Sequence, residues 1–374
     1  MKTSQSQSES ARSIFGRQSR ASGVKALSNG EPLLIGVTTR PNAANYELYR
    51  WADYAELRCL THKDKRFSRD GLMEALGESR KIAANAGEDS DDFSVIEAEV
   101  AAEPDPLAEE NALPAPEQDD AEELLSTQAF RQLRWRARTF GPSWPFEIDP
   151  AAREIRLKAE LNDSQFLYLQ MLLSSLLKYC NKKRRHELTA PFEHVALHVF
   201  TALMPKGAKV HRFGAGKGEE FTGGLYGKLV KLASAVRGTL LLEQRDFSTN
   251  DVGDGGLDLV AWHELGDDRN HIPVALAQCG CTVSGWPSKA LEASPARLHN
   301  QLHTSHRWST YYFMPLDLTE EVDGKMSWQQ RRDLGDAIYV DRLRVVRLAK
   351  VEDLRATGAL VETLVKEAVA MSLT

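Results

Sequence analysis

The sequence predicts an α/β fold of the α+β kind. A mixed central sheet flanked by helices fills the second half, and a mainly helical domain precedes it. Three observations lead there. Apolar residues recur at helical intervals over 46–60, 122–140 and 164–179. Two β-rich runs, 257–262 and 272–279, flank the polar turn Gly266-Asp267-Asp268-Arg269-Asn270 and read as an antiparallel hairpin. No stretch approaches the roughly 18 apolar residues that span a bilayer, so no membrane partner is expected.

Residues 1–25 are rich in Ser, Arg and Gln, lack an apolar core and read as a disordered tail rather than a secretory signal. Residues 32–37 read as a short strand. Tyr46, Tyr49, Trp51, Tyr54 and Leu57 mark an aromatic helix, and Leu72, Leu76 and Ile82 mark another. Residues 86–122 are acidic and rich in Ala and Pro, which predicts a linker. A helix then runs to Phe140, carrying the basic strip Arg131, Arg134, Arg136 and Arg138 and stopped by Gly141-Pro142. Short strands are expected at 145–148 and 155–157, then an apolar helix over 164–179. The basic cluster 182–185 after it suits either the helix C-terminal dipole or a phosphate. The helical domain is thus assigned to 26–186 and the sheet domain to 187–374, as the length of 374 residues allows.

In the second domain, 191–203 and 228–237 read as helices and 311–314 as a strand beside the hairpin. The glycines of 214–218 lack the Gly-Lys-Ser/Thr ending of a phosphate-binding loop and read as a turn. His299, His303 and His306 fall at helical spacing without a supporting carboxylate, which fits a surface or phosphate-contacting helix better than a metal set. A structural role is expected for the Asp341–Arg344 pair, and 359–369 reads as a terminal helix.

Charge and cysteine content narrow the class. The net charge is -6, yet residues 88–123 hold fifteen acidic residues and no Lys or Arg. The remainder carries about +9, a basic body that permits a nucleic-acid partner. Four cysteines are too few for a disulfide scaffold and suit a reducing cytoplasm. Cys279 and Cys281 form a C-x-C pair without the second pair that structural zinc needs, so they read as buried strand thiols.

The hairpin carries the chemistry. Gly255-Gly256 turns the chain into the first strand, where Asp258 is the one acidic residue, and Gln278 ends the second. With the turn centred near Asp268, the two lie opposite and share a sheet face, with Cβ atoms about 5 Å apart. A carboxylate and an amide oxygen at that separation suit Mg²⁺, which keeps several waters of its own.

Gly-Leu-Asp-Leu-Val-Ala at 256–261 with Leu-Ala-Gln-Cys at 276–279 resembles the PD-(D/E)XK nuclease superfamily, closest to its Mrr-type restriction-endonuclease branch, in which Gln replaces the usual acid. Phe192-Glu193 matches the Phe-Glu pair on the helix before the family's core. The resemblance covers about a quarter of the chain. It implies a restriction-endonuclease-like fold, with Asp258 and Gln278 holding Mg²⁺ (Mn²⁺ as substitute), Glu193 assisting and the carbonyl of Cys279 as a further ligand. The family's catalytic Lys would stand at 280, where this sequence has Gly280; Lys289 is the expected migrated replacement.

The function implied is a metal-dependent endodeoxyribonuclease, by analogy a restriction or anti-phage effector. The aromatic helix and the Arg131–Arg138 strip would recognise substrate or partner, and the acidic segment would occupy the basic groove as a DNA mimic. RNA stays open as substrate, as do partner subunits and a homodimer. The alternative is a non-catalytic nucleic-acid-binding or assembly subunit on the same fold, favoured by the missing Lys at 280. A third is an α/β interaction scaffold.

Overall fold

In this computed structural model the described residues are 30–41, 47–85, 115–151, 153–214, 220–247 and 255–373. The expected tail and residues 86–114 of the acidic segment lie outside them, as do 215–219 of the glycine stretch. Leu33–Thr374 forms one unit by its internal contacts.

The N-terminal part of that unit is built from α1 (Leu48–Thr61), β1 (Arg66–Ser68), α2 (Arg69–Asn85) and α3 (Ala115–Phe140), then β2 (Phe146–Ile148), β3 (Glu154–Leu157) and α4 (Asp163–Ser175). The strands form a small antiparallel sheet in the order β1-β3-β2. Asn162 starts α4 with a capping box: its side chain accepts from the N–H of Gln165, whose side chain accepts from the N–H of Asn162. The predicted strand at 32–37 is reduced to a single bridge between Leu34 and Cys180. Helix α3 starts at Ala115, inside the segment expected to be linker.

The chain continues through α5 (His186–Leu203), β4 (Lys209–Arg212), α6 (Leu225–Ala235), β5 (Thr239–Leu240), β6 (Leu259–Trp262) and β7 (Val274–Cys279). Next come α7 (Trp286–Lys289), α8 (Pro295–Leu298), β8 (Leu302–His303), β9 (Ser309–Phe313), the hairpin β10 (Thr319–Val322) and β11 (Lys325–Trp328), and β12 (Ile338–Val340). Helices α9 (Arg342–Leu348), α10 (Val351–Thr357) and α11 (Glu362–Ala370) end the chain. The central sheet has five strands in the order β12-β9-β7-β6-β4. It is mixed: β7, β9 and β12 run parallel, and β6 is antiparallel to both β7 and β4. The protein is therefore a mixed α/β protein.

Alternation along the hairpin explains why the sheet is covered on both faces. Leu259, Ala261, Ala275 and Ala277 point to the face of α5, packing with Phe192, Val195 and Val199. The intervening Val260, Trp262, Val274 and Leu276 point to the other face, with Leu229 and Leu232 of α6. The boundary expected between residues 186 and 187 falls at the start of α5, and one core runs across it, from Trp51 and Leu133 to Phe313 and Val345.

A buried ion cluster ties the helices to the sheet, and it corrects two expectations. Arg136 is fully buried, with Nε 2.6 Å from Asp317 Oδ2 and Nη1 3.0 Å from Glu56 Oε2 and 2.8 Å from Asp53 Oδ1. Arg342 reaches Asp53 at 2.8 Å from the other side. Tyr168 and Trp144 donate to Glu56, and Ser175 donates to Asp53. Burial pushes Asp53 up, but Arg342 and Arg136 override it and hold the carboxyl below its usual range. Arg136 is thus a structural cation and not part of a recognition strip. Tyr49, Trp51 and Tyr54 of the aromatic helix are likewise buried. Arg184, in the basic cluster, is engaged by Glu187 and Glu367.

Candidate functional site

The site lies at the outer end of the β6–β7 ladder. That ladder ends at the pair Leu259–Ala277, and Asp258 and Gln278 are the next residues beyond it on the two strands. Two backbone bonds fix Asp258 there. Its N–H donates to Ala277 O at 3.0 Å, and its carbonyl accepts from the N–H of Phe213 at 2.7 Å. The approach needs glycine. Gly256 has φ +82°, and a Cβ on it would lie 2.9 Å from Glu292 Cβ.

The two side chains meet. Asp258 Oδ2 accepts from the N–H of Cys279 at 2.6 Å. With its Nε2 turned inward, the Gln278 amide donates to Gly256 O at 2.6 Å and to Asp258 Oδ2 at 3.1 Å. The hairpin register is centred on Asp268, as expected from the sequence, and its last pair at this end is Leu259 with Ala277. Parallel pairing of Gln278 with Tyr312 adds β9 to the same face.

The charged partners arrive from two helices. Burial raises the Cys281 thiol above its usual range, the charges of Glu193 and Asp258 raise it further, and Lys289 opposes them. Glu193 on α5, Asp258 at the hairpin end and Lys289 on α7 therefore lie within electrostatic reach of one thiol. Gln278 and Cys279 adjoin through Asp258. Asp258, Gln278, Glu193 and Lys289 are all half-buried. Helix α7 begins at Gly285, in the left-handed region at φ +72°, and is anchored by the buried Trp286.

Gly280 is explained by its neighbour. Its N–H donates to Phe313 O at 2.9 Å, and a Cβ at this position would overlap the hydroxyl and ring of Tyr312. Tyr312 is fully buried, and burial raises its phenol far above the usual range. A Lys at 280 has no room.

Three residues here were not anticipated. Glu292, half-buried, lies against Gly256, and its charge reaches Tyr312. Its spacing of three from Lys289 on a helical turn was the available signal. Tyr312 had a signal only in the parallel pairing of β7 with β9. Lys228 on α6 is buried, its Nζ 5.7 Å from the ring centroid of Phe213, the residue bonded to Asp258's carbonyl. Helical spacing gave no reason to single it out.

The histidine expectation is corrected. His299 caps α8, His303 lies in β8 and His306 in the loop beyond, so no helix aligns them. His299 and His306 bond the carbonyls of Ala296 and Ile272 instead. The Asp341 carboxylate accepts from the N–H of Arg344 as the cap of α9.

Comparison with protein-family models, with curated proteins and with solved structures finds no match. The assignment of chemistry therefore rests on the site. Among the described residues no group of three or more His, Cys, Asp or Glu side chains is arranged to hold a metal ion. A cation here would depend on a mixed oxygen set: one carboxylate, one amide and backbone carbonyls. Neither Cys279 nor Cys281 forms a disulfide among the described residues. No helix among the described residues is long and apolar enough to cross a membrane.

Proposed function

We propose that this chain is a metal-dependent nuclease hydrolysing DNA phosphodiester bonds, built on a restriction-endonuclease-like core. The contact between Asp258 and Gln278 carries the reading. The inward end of the Gln278 amide lies 2.6 Å from Gly256 O and 3.1 Å from Asp258 Oδ2. With the amide turned over, its oxygen would join Asp258 Oδ2 and Gly256 O as an oxygen donor to a cation. Hard oxygen donors of this kind suit Mg²⁺ or Mn²⁺. Asp258, Gln278 and the Cys279 carbonyl would hold the ion, with Glu193 beside them. When bound, such an ion stabilises charge on a phosphoryl oxygen and acidifies a bound water.

The chain's own residues do the rest. The Cys279 N–H fixes the Asp258 carboxylate, so that one oxygen stays aimed at the Gln278 amide. Lys289 supplies the ammonium that offsets negative charge developing on the phosphate. Glu193, as a carboxylate, would orient water by accepting a hydrogen bond from it. The basic remainder of the chain favours a polyanion. A restriction or anti-phage setting, with partner subunits or a homodimer, belongs to the same proposal and comes from the family resemblance alone.

A second reading has a specific observation behind it. Tyr312 fills the place of the lysine that the motif puts at 280. A site short of that cation would bind nucleic acid without cutting it.

Bis-p-nitrophenyl phosphate, which needs no DNA recognition, separates the two. Hydrolysis dependent on Mg²⁺ or Mn²⁺ and abolished by Asp258→Ala supports the enzyme. DNA binding with no hydrolysis of either substrate supports the second reading.

A further inference from the structure

On the N-terminal part, the facing sides of α1 and α2 leave a cavity of about 510 Å³. Its construction comes from helical and strand periods. Tyr54, Arg58 and His62 recur every four residues and share one face of α1. Glu74 looks across from α2, and β1 brings Arg66. Arg40 enters from the preceding loop, and Glu154 from β3.

The cavity gathers three guanidinium groups, and they are incompletely matched. Arg58 lies 5.8 Å from the ring centroid of Phe67 and forms no ion pair among the described residues. Arg66 meets Glu154 only at 4.0 Å, with about half of its side chain exposed. Arg40 pairs with Glu78, yet its Nε is buried with no hydrogen-bond partner among the described residues. A buried donor without a partner among the described residues can take an acceptor supplied by a ligand. Planar guanidinium groups converging on a concavity match the oxygens of a phosphate, which they bind in bidentate fashion. Glu74 and Glu154 argue against a bare anion. A carboxylate accepts well from hydroxyl groups, so their presence suits a ligand carrying hydroxyls beside its phosphate. The volume falls in the range of sites for small organic ligands, roughly 300–1,000 Å³.

We infer that this cavity is a binding site for a small hydroxyl-bearing phosphate monoester of mononucleotide size, with Arg58, Arg66 and Arg40 on the phosphate and Glu74 on the hydroxyls. The site is built from different elements than the hairpin end, and it stands whether or not the chain is a nuclease.

Calorimetric titration of the full chain with AMP, and separately with inorganic phosphate, tests it. Saturable AMP binding is expected, weakened about tenfold or more by Arg58→Gln and by Arg66→Gln. Inorganic phosphate should bind at least tenfold more weakly than AMP, and Glu74→Gln should narrow that gap. Arg66 is half-exposed, so its variant keeps the fold and remains informative if Arg58→Gln does not. The inference is overturned if AMP shows no saturable heat at millimolar concentration, if the Arg66→Gln protein binds like the wild type, or if inorganic phosphate binds as tightly as AMP.

Discussion

Gly280 and Tyr312 are matched in size: the tyrosine ring and hydroxyl occupy the space that any side chain at 280 would need. This pairing separates the chain from the motif it resembles. Gly280→Ala should destabilise the fold by about 1–3 kcal/mol, the usual cost of overpacking. The check is the denaturant midpoint at unchanged slope. A variant as stable as the wild type would mean that Tyr312 yields easily and that the site can accept a lysine at 280.

Gln278→Glu places a second carboxylate about 3 Å from Asp258 Oδ2. Without metal, the variant should lose roughly 1–3 kcal/mol at neutral pH, because it loses an amide donor and gains a like charge. Mn²⁺ should restore the thermal midpoint, since a ligand that binds only the folded state stabilises it in proportion to the logarithm of its concentration. Loss without restoration by Mn²⁺ would argue against a cation between these residues.

Arg136 joins α1, α3 and the segment after β9 through Glu56, Asp53 and Asp317. Replacing it with Met leaves buried carboxylates uncompensated, and the expected loss is about 3–5 kcal/mol. Arg138→Met, two residues on and solvent-exposed, removes a surface pair with Glu321 and a contact over the Trp135 ring, and should cost about 1 kcal/mol or less. Comparing their urea midpoints tests whether the arginine strip is divided as the structure has it.

Asp341 is pushed up to about 7, chiefly by burial and then by the nearby Asp317. An acid whose folded value is raised binds its proton more tightly in the folded state. Its contribution is complete below the unfolded value, near pH 4, and is lost as pH rises to about 7. Asp341→Asn keeps a capping side chain and removes the titration. Its stability should fall less steeply than that of the wild type between those limits, measured by urea unfolding across pH.

Features set by nearby residues were legible in the sequence, and features set by distant ones were not. Asp258 and Gln278 could be paired because hairpin register depends only on their distances from one turn. The helices were placed by periodicity, but periodicity does not tell which face is covered. Arg136 therefore looked like one member of a basic strip, although its neighbours in space come from residues 53, 56 and 317. Tyr312 and Glu292 were missed for the same reason. The first reaches the site through a parallel pairing across a long crossover, the second by packing on a glycine. His299, His303 and His306 had the spacing of a helix, but the turn after α8 and the β8 strand break it.

Hydrolysis of phosphodiester bonds at the hairpin end is tested most directly by the conversion of supercoiled plasmid to nicked or linear DNA in Mg²⁺ or Mn²⁺. The wild type, Asp258→Ala and Lys289→Ala would be compared, each shown by circular dichroism to be folded. Metal-dependent cleavage by the wild type is expected. Asp258→Ala should abolish it, and Lys289→Ala should slow it about 10²-fold or more, as removal of a charge-stabilising group does. Cleavage that survives Asp258→Ala would contradict a reaction centred on this carboxylate.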